Sequence, residues 1–411
     1  MDETLYVFHR IFSMAGVSIY AKKNWISKAW LGLLIFNAIC GVLCFVFTTG
    51  FVVTNTTDIE IFIRGSCIWS SGVPMAITFV LCLIYRFELR GFLEEMAFKD
   101  EMQAMPLIQH VNSLTEGNLL YELKELVRMS QMKLANFSRI FLKVYIMSVL
   151  VIATLYPWSS IYEMCVTEDD TLRLIGFDMW FPWSLDDISV YVMSFLFNVY
   201  LGCLCSIAYP GLQTTIVLFL GQLIRQLRIL NFILSNLSDL ADEIVGDQNH
   251  NDIWQEVCNS LLCQCVDHYV KLKSFSNRIN LTFHFYYLAL LLMATVLVCM
   301  CSVKIAISDK LALDTMKYYM HGFCFIMMVL LLCTLGQQVD NECEKLEESV
   351  TNKWYLYNKN LKVNIQIFKM ALDQRMPISI FGSATLSFPT FTWFIKTGTS
   401  FFTLVMSVLD N

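Results

Sequence analysis

Long apolar stretches alternate with charged segments along the whole chain. Seven of these stretches are long enough to cross a bilayer, because a crossing helix needs about 20 apolar residues at the helical rise. The first six contain no Asp, Glu, Lys or Arg, and the seventh contains only Lys396. The pattern predicts an all-α, seven-transmembrane helical membrane protein with spans at 29–53, 66–85, 144–162, 188–221, 281–303, 318–339 and 376–409.

The basic residues between the spans lie mostly on one side. If the segments alternate between two sides, the side of the N-terminus carries 23 Lys and Arg and the opposite side carries 5. Cytoplasmic segments retain basic residues, so we expect a cytoplasmic N-terminus and, after seven spans, an extracellular C-terminus. The outer segment 163–187 agrees, because it holds seven acidic residues and only Arg173 as a basic one.

Three charged segments beyond the spans keep an apolar face at helical spacing. Such a face is not stable in water by itself, so we expect cytoplasmic helical extensions of the later helices that pack together as an anchor over 222–280 and 337–375. The chain would then be a single seven-helix transmembrane domain over 1–411. The faces are Leu223, Leu227, Leu230 and Leu234; Leu261, Cys265, His268 and Leu272; and Val339, Cys343, Leu346 and Val350.

Composition narrows the chemistry. A hydrophobic content of 56% is too high for a soluble domain. Most of the 15 cysteines lie in spans or inner segments, so we expect few or no disulfides. The Cys263-x-Cys265 pair lacks zinc-site spacing, and the chain has no nucleophile elbow, phosphate loop or HExxH motif. We therefore expect no catalytic residues, metal or cofactor, and no nucleic-acid partner.

Aromatic and Met side chains are frequent in the outer halves of several spans between 66 and 336. A small apolar cavity lined by such rings would bind a volatile ligand mainly through burial of apolar surface. The alternative is ordinary helix packing or an aromatic belt at the membrane interface. The candidate ligand contacts are Trp69, Gly72, Met75, Phe79, Tyr145, Ile152, Tyr156, Tyr191, Phe195, Tyr319 and Phe323.

Lys396 makes the last span unusual. An ammonium group inside hydrocarbon costs about 2.5–3.5 kcal/mol on insertion scales, so it must snorkel, pair or face water. Hydroxyl residues that include Thr399 and Thr403 follow it, and such a run suits a helix beside an aqueous path. Asp410 would lie at the outer mouth, where it could attract cations. Alternatively, the hydroxyl groups hold helices together and Lys396 snorkels outward.

The C-terminal 80 or so residues carry a family likeness. They resemble the end of the sixth helix, the following segment and the C-terminal signature of insect odorant receptors. The matching positions are Cys333, Gly336, Gln337, Leu346, Ser349, Val350, Trp354 and Tyr355; Met370, Gln374, Arg375, Met376, Pro377, Phe381 and Gly382; and Phe391, Ile395, Lys396, Ser400, Phe401 and Leu404.

The resemblance implies a ligand-gated, non-selective cation channel in the plasma membrane of olfactory sensory neurons. In that family four subunits surround one pore lined by the seventh helix, here 376–411, and a volatile organic ligand binds among the outer halves of the second to sixth helices. The short connection between the fourth and fifth helices indicates an odorant-tuning subunit that needs the coreceptor. Counted from the C-terminus, Met406, Leu409 and Asp410 fall near the narrowest part of the pore.

Three other readings stay open at this point. A gustatory-type ligand-gated channel usually shows a Thr-Tyr and Gln-Phe pattern in its last helix, and this chain lacks that pattern. A G-protein-coupled receptor would require the reversed topology. A small-molecule transporter or membrane enzyme is disfavoured, because the spans lack paired acidic groups or metal ligands.

Glycosylation tests the orientation. Sequons begin at Asn55, Asn136, Asn236 and Asn280, and only Asn55 faces the lumen under the predicted topology. We expect endoglycosidase treatment to shift the wild-type band on a gel and to leave an Asn55→Gln variant unchanged. An Asn236→Gln variant serves as the control and should shift like wild type. A glycan on Asn236 would contradict the predicted orientation.

Overall fold

A computed structural model describes residues 25–98, 101–113, 118–167, 173–246, 251–308, 313–382 and 384–409. These residues form helices and one small hairpin. The helices are α1 (Trp25–Thr54), α2 (Ile59–Ile84), α3 (Arg86–Phe98), α4 (Pro106–Ser113), α5 (Leu119–Val166), α6 (Ile188–Ser235), α7 (Leu237–Val245), α8 (Asn251–Ile307), α9 (Leu313–Ser349), α10 (Lys359–Leu372) and α11 (Phe388–Leu409), with a 3₁₀ turn at Trp354–Leu356.

Among the residues that the structure describes, six helices are long and apolar enough to cross a membrane: α1, α2, α5, α6, α8 and α9. They contain the first six predicted spans, except that α2 ends one residue before the predicted end at residue 85. Helices α5 and α6 have 48 residues each and α8 has 57. At the helical rise these lengths are roughly 70–85 Å, far more than the ~30 Å hydrocarbon core. The charged ends of these helices therefore lie outside the hydrocarbon.

The seventh predicted span differs from its prediction. It was expected to be helical over 376–409, but the helix α11 begins only at Phe388 and has 22 residues. The preceding strands β1 (Ser379–Phe381) and β2 (Ala384–Thr385) form an antiparallel hairpin. Its turn contains Gly382 at φ +59°, a conformation that a side chain disfavours and that ends any helix. A continuous helix from residue 376 is therefore wrong.

Side chains at the ends of the helices fix where several of them begin. Asp58 accepts hydrogen bonds from the first turn of α2, and Asn358 does the same for α10. The carboxylate of Glu243 on α7 accepts three backbone N–H bonds at 2.9–3.2 Å from the start of α5. A carboxylate at this position also interacts favourably with the positive end of the helix dipole. These caps fix where the helices begin. The cap of α5 comes from α7, which lies far from it in sequence.

Helix α6 runs through the centre of the fold. Its middle, from Leu212 to Leu220, is buried on all sides, as expected of a helix surrounded by other helices. Helices α5, α8, α9 and α2 pack around it, and α1 packs mainly on α2. The N-terminal part of α8 and the C-terminal part of α9 continue beside α6 into a second bundle.

This second bundle is the anchor bundle, defined here as 222–280 and 337–375. The three apolar faces predicted from sequence are buried within it. Glu342 is only 5% exposed. Its carboxylate oxygen Oε1 accepts a hydrogen bond from Nε of Arg228 at 3.0 Å, and its backbone carbonyl accepts one from the side chain of Asn231 at 3.0 Å. The indole of Trp254 stacks on Tyr357 with ring centroids 5.9 Å apart. Apolar packing and shared polar groups thus join the ends of α6, α8 and α9.

The hairpin connects the anchor bundle to α11 and is held at two places. Asn280 on α8 accepts from the N–H of Ser379 at 3.2 Å and donates to the carbonyl of Pro377 at 2.9 Å. Gly336 on α9 lies directly against Leu386, the residue after the hairpin. A Cβ added at Gly336 would be only 2.1 Å from the carbonyl oxygen of Leu386. The start of α11 is therefore fixed by contacts to both α8 and α9.

A methyl group at Gly336 tests this contact. Gly336→Ala forces either the backbone of Leu386 or helix α9 to move, and such overpacking costs about 1–3 kcal/mol. We expect a midpoint of thermal unfolding lower by several degrees, measured by size-exclusion chromatography after heating in detergent.

Gly91→Ala is the matched control. No atom lies within 4 Å of a Cβ added at Gly91, so this variant should unfold at or slightly above the wild-type temperature. Equal midpoints for Gly336→Ala and Gly91→Ala would contradict the close approach.

Candidate ligand-binding site and pore-facing helix

A partly open space lies between α2, α5, α6 and α9, and Phe177 of the segment 173–187 borders one end of it. The space between the atoms of its wall is about 490 Å³ with the adjoining open solvent included. Its wall consists of Ile68, Ser71, Tyr145, Val149, Ile152, Ala153, Tyr156, Phe177, Cys205, Tyr209, His321, Cys324 and Phe325. We call this space the inner cavity.

Three of the eleven ligand contacts predicted from sequence line the inner cavity. They are Tyr145, Ile152 and Tyr156, all on α5 and all buried. They lie on one face of that helix at intervals of seven and four residues. The structure brings no other member of the predicted set to the wall.

The predicted residues of α2 lie one layer further out. Trp69, Gly72 and Phe79 pack against α1, where the indole N–H of Trp69 donates to Thr49 at 2.9 Å. Met75 is fully buried, and its sulfur lies 3.0 Å from the sulfur of Cys205 on the cavity wall. These side chains support the wall from behind.

The remaining predicted contacts face away from the inner cavity. Tyr191 donates its hydroxyl to the carbonyl of Leu174 at 2.7 Å, and Phe195 packs beside its ring. Tyr319 is 40% exposed and Phe323 is 61% exposed on the outside of α9. Whether any of the eleven residues binds ligand stays a prediction.

Phe177 forms the roof of the inner cavity. Its backbone N–H and carbonyl each make a 2.8 Å hydrogen bond to the side chain of Asn198 on α6. Its ring stacks on Tyr156 at 5.2 Å and fills the space above Gly202, where a Cβ would come within 2.7 Å of the ring. Phe177 was not singled out by the sequence analysis.

A tyrosine and a histidine form the main polar contact on the wall. The hydroxyl of Tyr156 lies 3.0 Å from Nδ1 of His321, and both side chains are buried. His321 was not singled out by the sequence analysis. Its position four residues before Phe325 places both side chains on one face of α9, and both line the cavity.

A second, polar cavity opens to solvent beside the roof, and the space between its wall atoms is about 710 Å³ with the adjoining solvent included. Arg64 and Asp178 form an ion pair across it at 2.9 Å. Lys317 also lines it, and its ammonium nitrogen lies 3.0 Å from the hydroxyl oxygen of Ser159. The charged groups of this region therefore belong to the polar cavity and not to the wall of the inner cavity.

Helix α11 packs one face on α8. Gly398 lies against α8, and Phe402 and Val405 pack on a small cluster around Val303. Met406, predicted to border the pore, is half-buried against this same cluster. Nothing is described for the Leu409 side chain, and Asp410 lies outside the described residues.

The other predicted pore residues lie together on an exposed face of α11. Lys396, Thr399 and Thr403 are exposed and follow each other at intervals of three and four residues. Thr399 donates its hydroxyl to carbonyls of its own helix at 2.9–3.0 Å, and Thr403 donates to Ser400 at 2.9 Å. The hydroxyl oxygens keep lone pairs that can accept hydrogen bonds or contact cations. We call Lys396, Thr399 and Thr403 the hydroxyl face.

Among the residues that the structure describes, no group of three or more His, Cys, Asp or Glu is arranged to hold a metal ion. The arrangement can bind a small apolar molecule and can present polar groups along one helix.

Comparisons with known proteins agree with this architecture. The model of the 7tm Odorant receptor family matches residues 100–397. Odorant receptor 13a of Drosophila melanogaster is 25% identical over 253 residues, and the match covers 56% of this chain and only 57% of that receptor. The chain therefore aligns with little more than half the length of this relative.

Solved structures share the fold. The insect olfactory receptor OR5 from Machilis hrabei in complex with eugenol superposes with a TM-score of 0.80 at 13% identity, covering 99% of this chain and 98% of that one. A second structure of OR5 gives a TM-score of 0.77 over the same shares of both chains. Because the family model spans most of the sequence and the fold is that of an insect olfactory receptor, this chain belongs to the 7tm odorant receptor family.

Proposed function

We propose that this chain is the odorant-binding subunit of a heteromeric, odorant-gated, non-selective cation channel. It would assemble with the odorant receptor coreceptor in the plasma membrane of olfactory sensory neurons. Family membership supports an olfactory role. The observation that carries the rest of the proposal is that one chain combines an apolar, aromatic-lined cavity with a helix that leaves a hydroxyl face uncovered.

The inner cavity is suited to a volatile molecule. A ligand that enters it loses most of its contact with water, and each Å² of buried apolar surface contributes roughly 25 cal/mol. The aromatic walls of Tyr145, Phe177 and Phe325 add dispersion contacts without requiring charge. Such a site binds by shape and burial, as expected for an airborne organic ligand.

Helix α9 supports a physical connection between the cavity and α11. His321 and Phe325 on α9 line the cavity, and Gly336 lies three to four turns further along the same helix against Leu386. Two residues after Leu386, α11 begins. A ligand that favours one position of α9 would therefore bias the start of α11, which is the condition for a ligand to shift a two-state gate.

The hydroxyl face of α11 supports a water-filled path. Thr399 and Thr403 present oxygen lone pairs, and the ammonium of Lys396 requires water or a partner. Four copies of such a helix around an axis would place these groups toward a common pore. Coreceptor subunits without a lysine at this position would lower the density of positive charge around such a pore.

The orientation is part of the same proposal. The N-terminus and the anchor bundle would lie in the cytoplasm, in agreement with the excess of basic residues on that side. The C-terminus and the roof of the inner cavity would then face the outside, where odorants arrive.

Electrophysiology tests the proposal. Co-expression with an insect odorant receptor coreceptor should give odorant-evoked cation currents that persist when G-protein signalling is blocked. Ala153→Leu places three additional carbon atoms at the cavity wall, so we expect the odorant concentration for half-maximal current to rise at least tenfold.

Val151→Leu is the matched control, since Val151 lies two residues away on the same helix and is 43% exposed. It should leave both the half-maximal concentration and the surface expression unchanged. Absence of current from a broad odorant panel, with both subunits present at the cell surface, would contradict the proposal.

A further inference from the structure

The polar groups of the inner cavity narrow the class of ligand, and this inference rests on the proposed function. The hydroxyl of Tyr145 donates to Gln213, and the hydroxyl of Tyr209 donates to the carbonyl of Ser71. The protons of these two hydroxyls are therefore already engaged within the protein. Their oxygens keep lone pairs, but neither hydroxyl has a proton to donate to a ligand.

The Tyr156–His321 pair differs, because the two groups share one proton position. If Tyr156 donates to Nδ1, the lone pairs of its oxygen can accept a hydrogen bond from a ligand. If Nδ1–H of His321 donates instead, the hydroxyl proton of Tyr156 is free to be donated to a ligand. The pair can therefore bind either a hydroxyl or a carbonyl by a change of histidine tautomer.

The surroundings of the pair limit the shape of the ligand. The ring of Phe177 stacks on Tyr156 at 5.2 Å, and the ring of Phe325 lies 5.5 Å from the imidazole of His321. Both phenylalanine rings line the cavity beside the polar contact, Phe177 stacked on Tyr156 and Phe325 at 64° to the imidazole. Aromatic walls pack more completely against a rigid ring than against a flexible chain, and a rigid ligand also loses less conformational entropy on binding.

Charge is unfavourable in this space. The described residues of the wall include no Asp, Glu, Lys or Arg. Lys317 lines the neighbouring polar cavity, and its ammonium nitrogen lies 5.0 Å from the centroid of the Tyr156 ring. An ionised carboxylate or amine would lose its hydration in the inner cavity without gaining a counter-charge at the wall.

From these observations we propose that the inner cavity selects neutral, compact, ring-bearing organic molecules that carry one hydroxyl or carbonyl oxygen, and that Tyr156 and His321 bind this oxygen. Hydrocarbons of the same shape fill the cavity but leave the polar pair without a ligand partner. The pair is therefore the specificity determinant of the site, while the rings supply most of the affinity.

Matched probes test this selectivity in cells that express the chain with a coreceptor. The probes are toluene, benzyl alcohol, benzaldehyde and benzoate; limonene, carveol and carvone; and hexane with hexanol. We expect the lowest half-maximal concentrations for the neutral oxygenated ring compounds. Stronger responses to the ring hydrocarbons, to benzoate or to the flexible chains would overturn the proposal.

A substitution that keeps the ring separates the hydrogen bond from packing. Tyr156→Phe should raise the half-maximal concentration of the oxygenated probes about three- to tenfold, the range expected for one hydrogen bond, and should leave the hydrocarbons within about twofold. His321→Phe should narrow the gap between the two probe classes in the same way.

Tyr200→Phe is the matched control. Its hydroxyl donates to Asn37 at 2.7 Å and does not line the cavity, so no probe should change in potency. An equal shift of oxygenated and hydrocarbon probes in Tyr156→Phe would overturn the inference and leave the proposed function intact. No current from any probe, with both subunits at the surface, would instead overturn the proposed function together with the inference.

Discussion

Hydrocarbon cannot solvate one face of α11, and the rest of the account depends on that constraint. The helix packs on α8 through Gly398, Phe402 and Val405, and this contact leaves Lys396 and the threonines of the hydroxyl face uncovered in the single chain. An ammonium group at membrane depth needs water, a partner or the membrane interface, whereas the hydroxyls of Thr399 and Thr403 already donate to their own helix. Under the proposed function, assembly around an aqueous path would supply water to Lys396.

In the proposed assembly, the long helices would connect the inner cavity to helix α11. Helix α9 runs from the cavity wall to the buried Glu342 of the anchor bundle. Between them, at Gly336, it contacts Leu386, the residue after the hairpin. A packed helix moves largely as one body, because close-packed interiors transmit displacement and do not absorb it. The hairpin contacts of Asn280 and Leu386 then fix how α11 follows.

The sequence predicts spans and buried helix faces correctly where apolar residues stand beside charged ones. The faces that include Leu227, Leu261 and Leu346 were recognised because charged residues flank them, and all three side chains are buried. The first six spans were recognised for the same reason. The anchor faces belong to helices that lie in water, where exposed positions are polar. The alternation of buried apolar and exposed polar residues is therefore visible in the sequence as a helical period.

Within the spans this contrast is absent, and the predictions are less accurate. Both sides of a membrane helix are apolar, so Tyr319 and Phe323, which face outward, look no different from the cavity residue Phe325. The rotation of α9 follows from its packing partners, which a single sequence does not contain. Phe177 reaches the roof through a loop whose path depends on Asn198. The hairpin at residues 379–385 was missed because an apolar run conceals its short strands.

Accessibility of the hydroxyl face to water is the most direct test of the account. Thr403→Cys should react with a membrane-impermeant, cationic thiol reagent applied from outside while an odorant keeps the channel open, and the modification should reduce the odorant-evoked current. Phe401→Cys, on the opposite side of α11 and 50% exposed in the single chain, should not respond. Full current after treatment of Thr403→Cys, together with inhibition of Phe401→Cys, would contradict the assignment of the hydroxyl face to the pore.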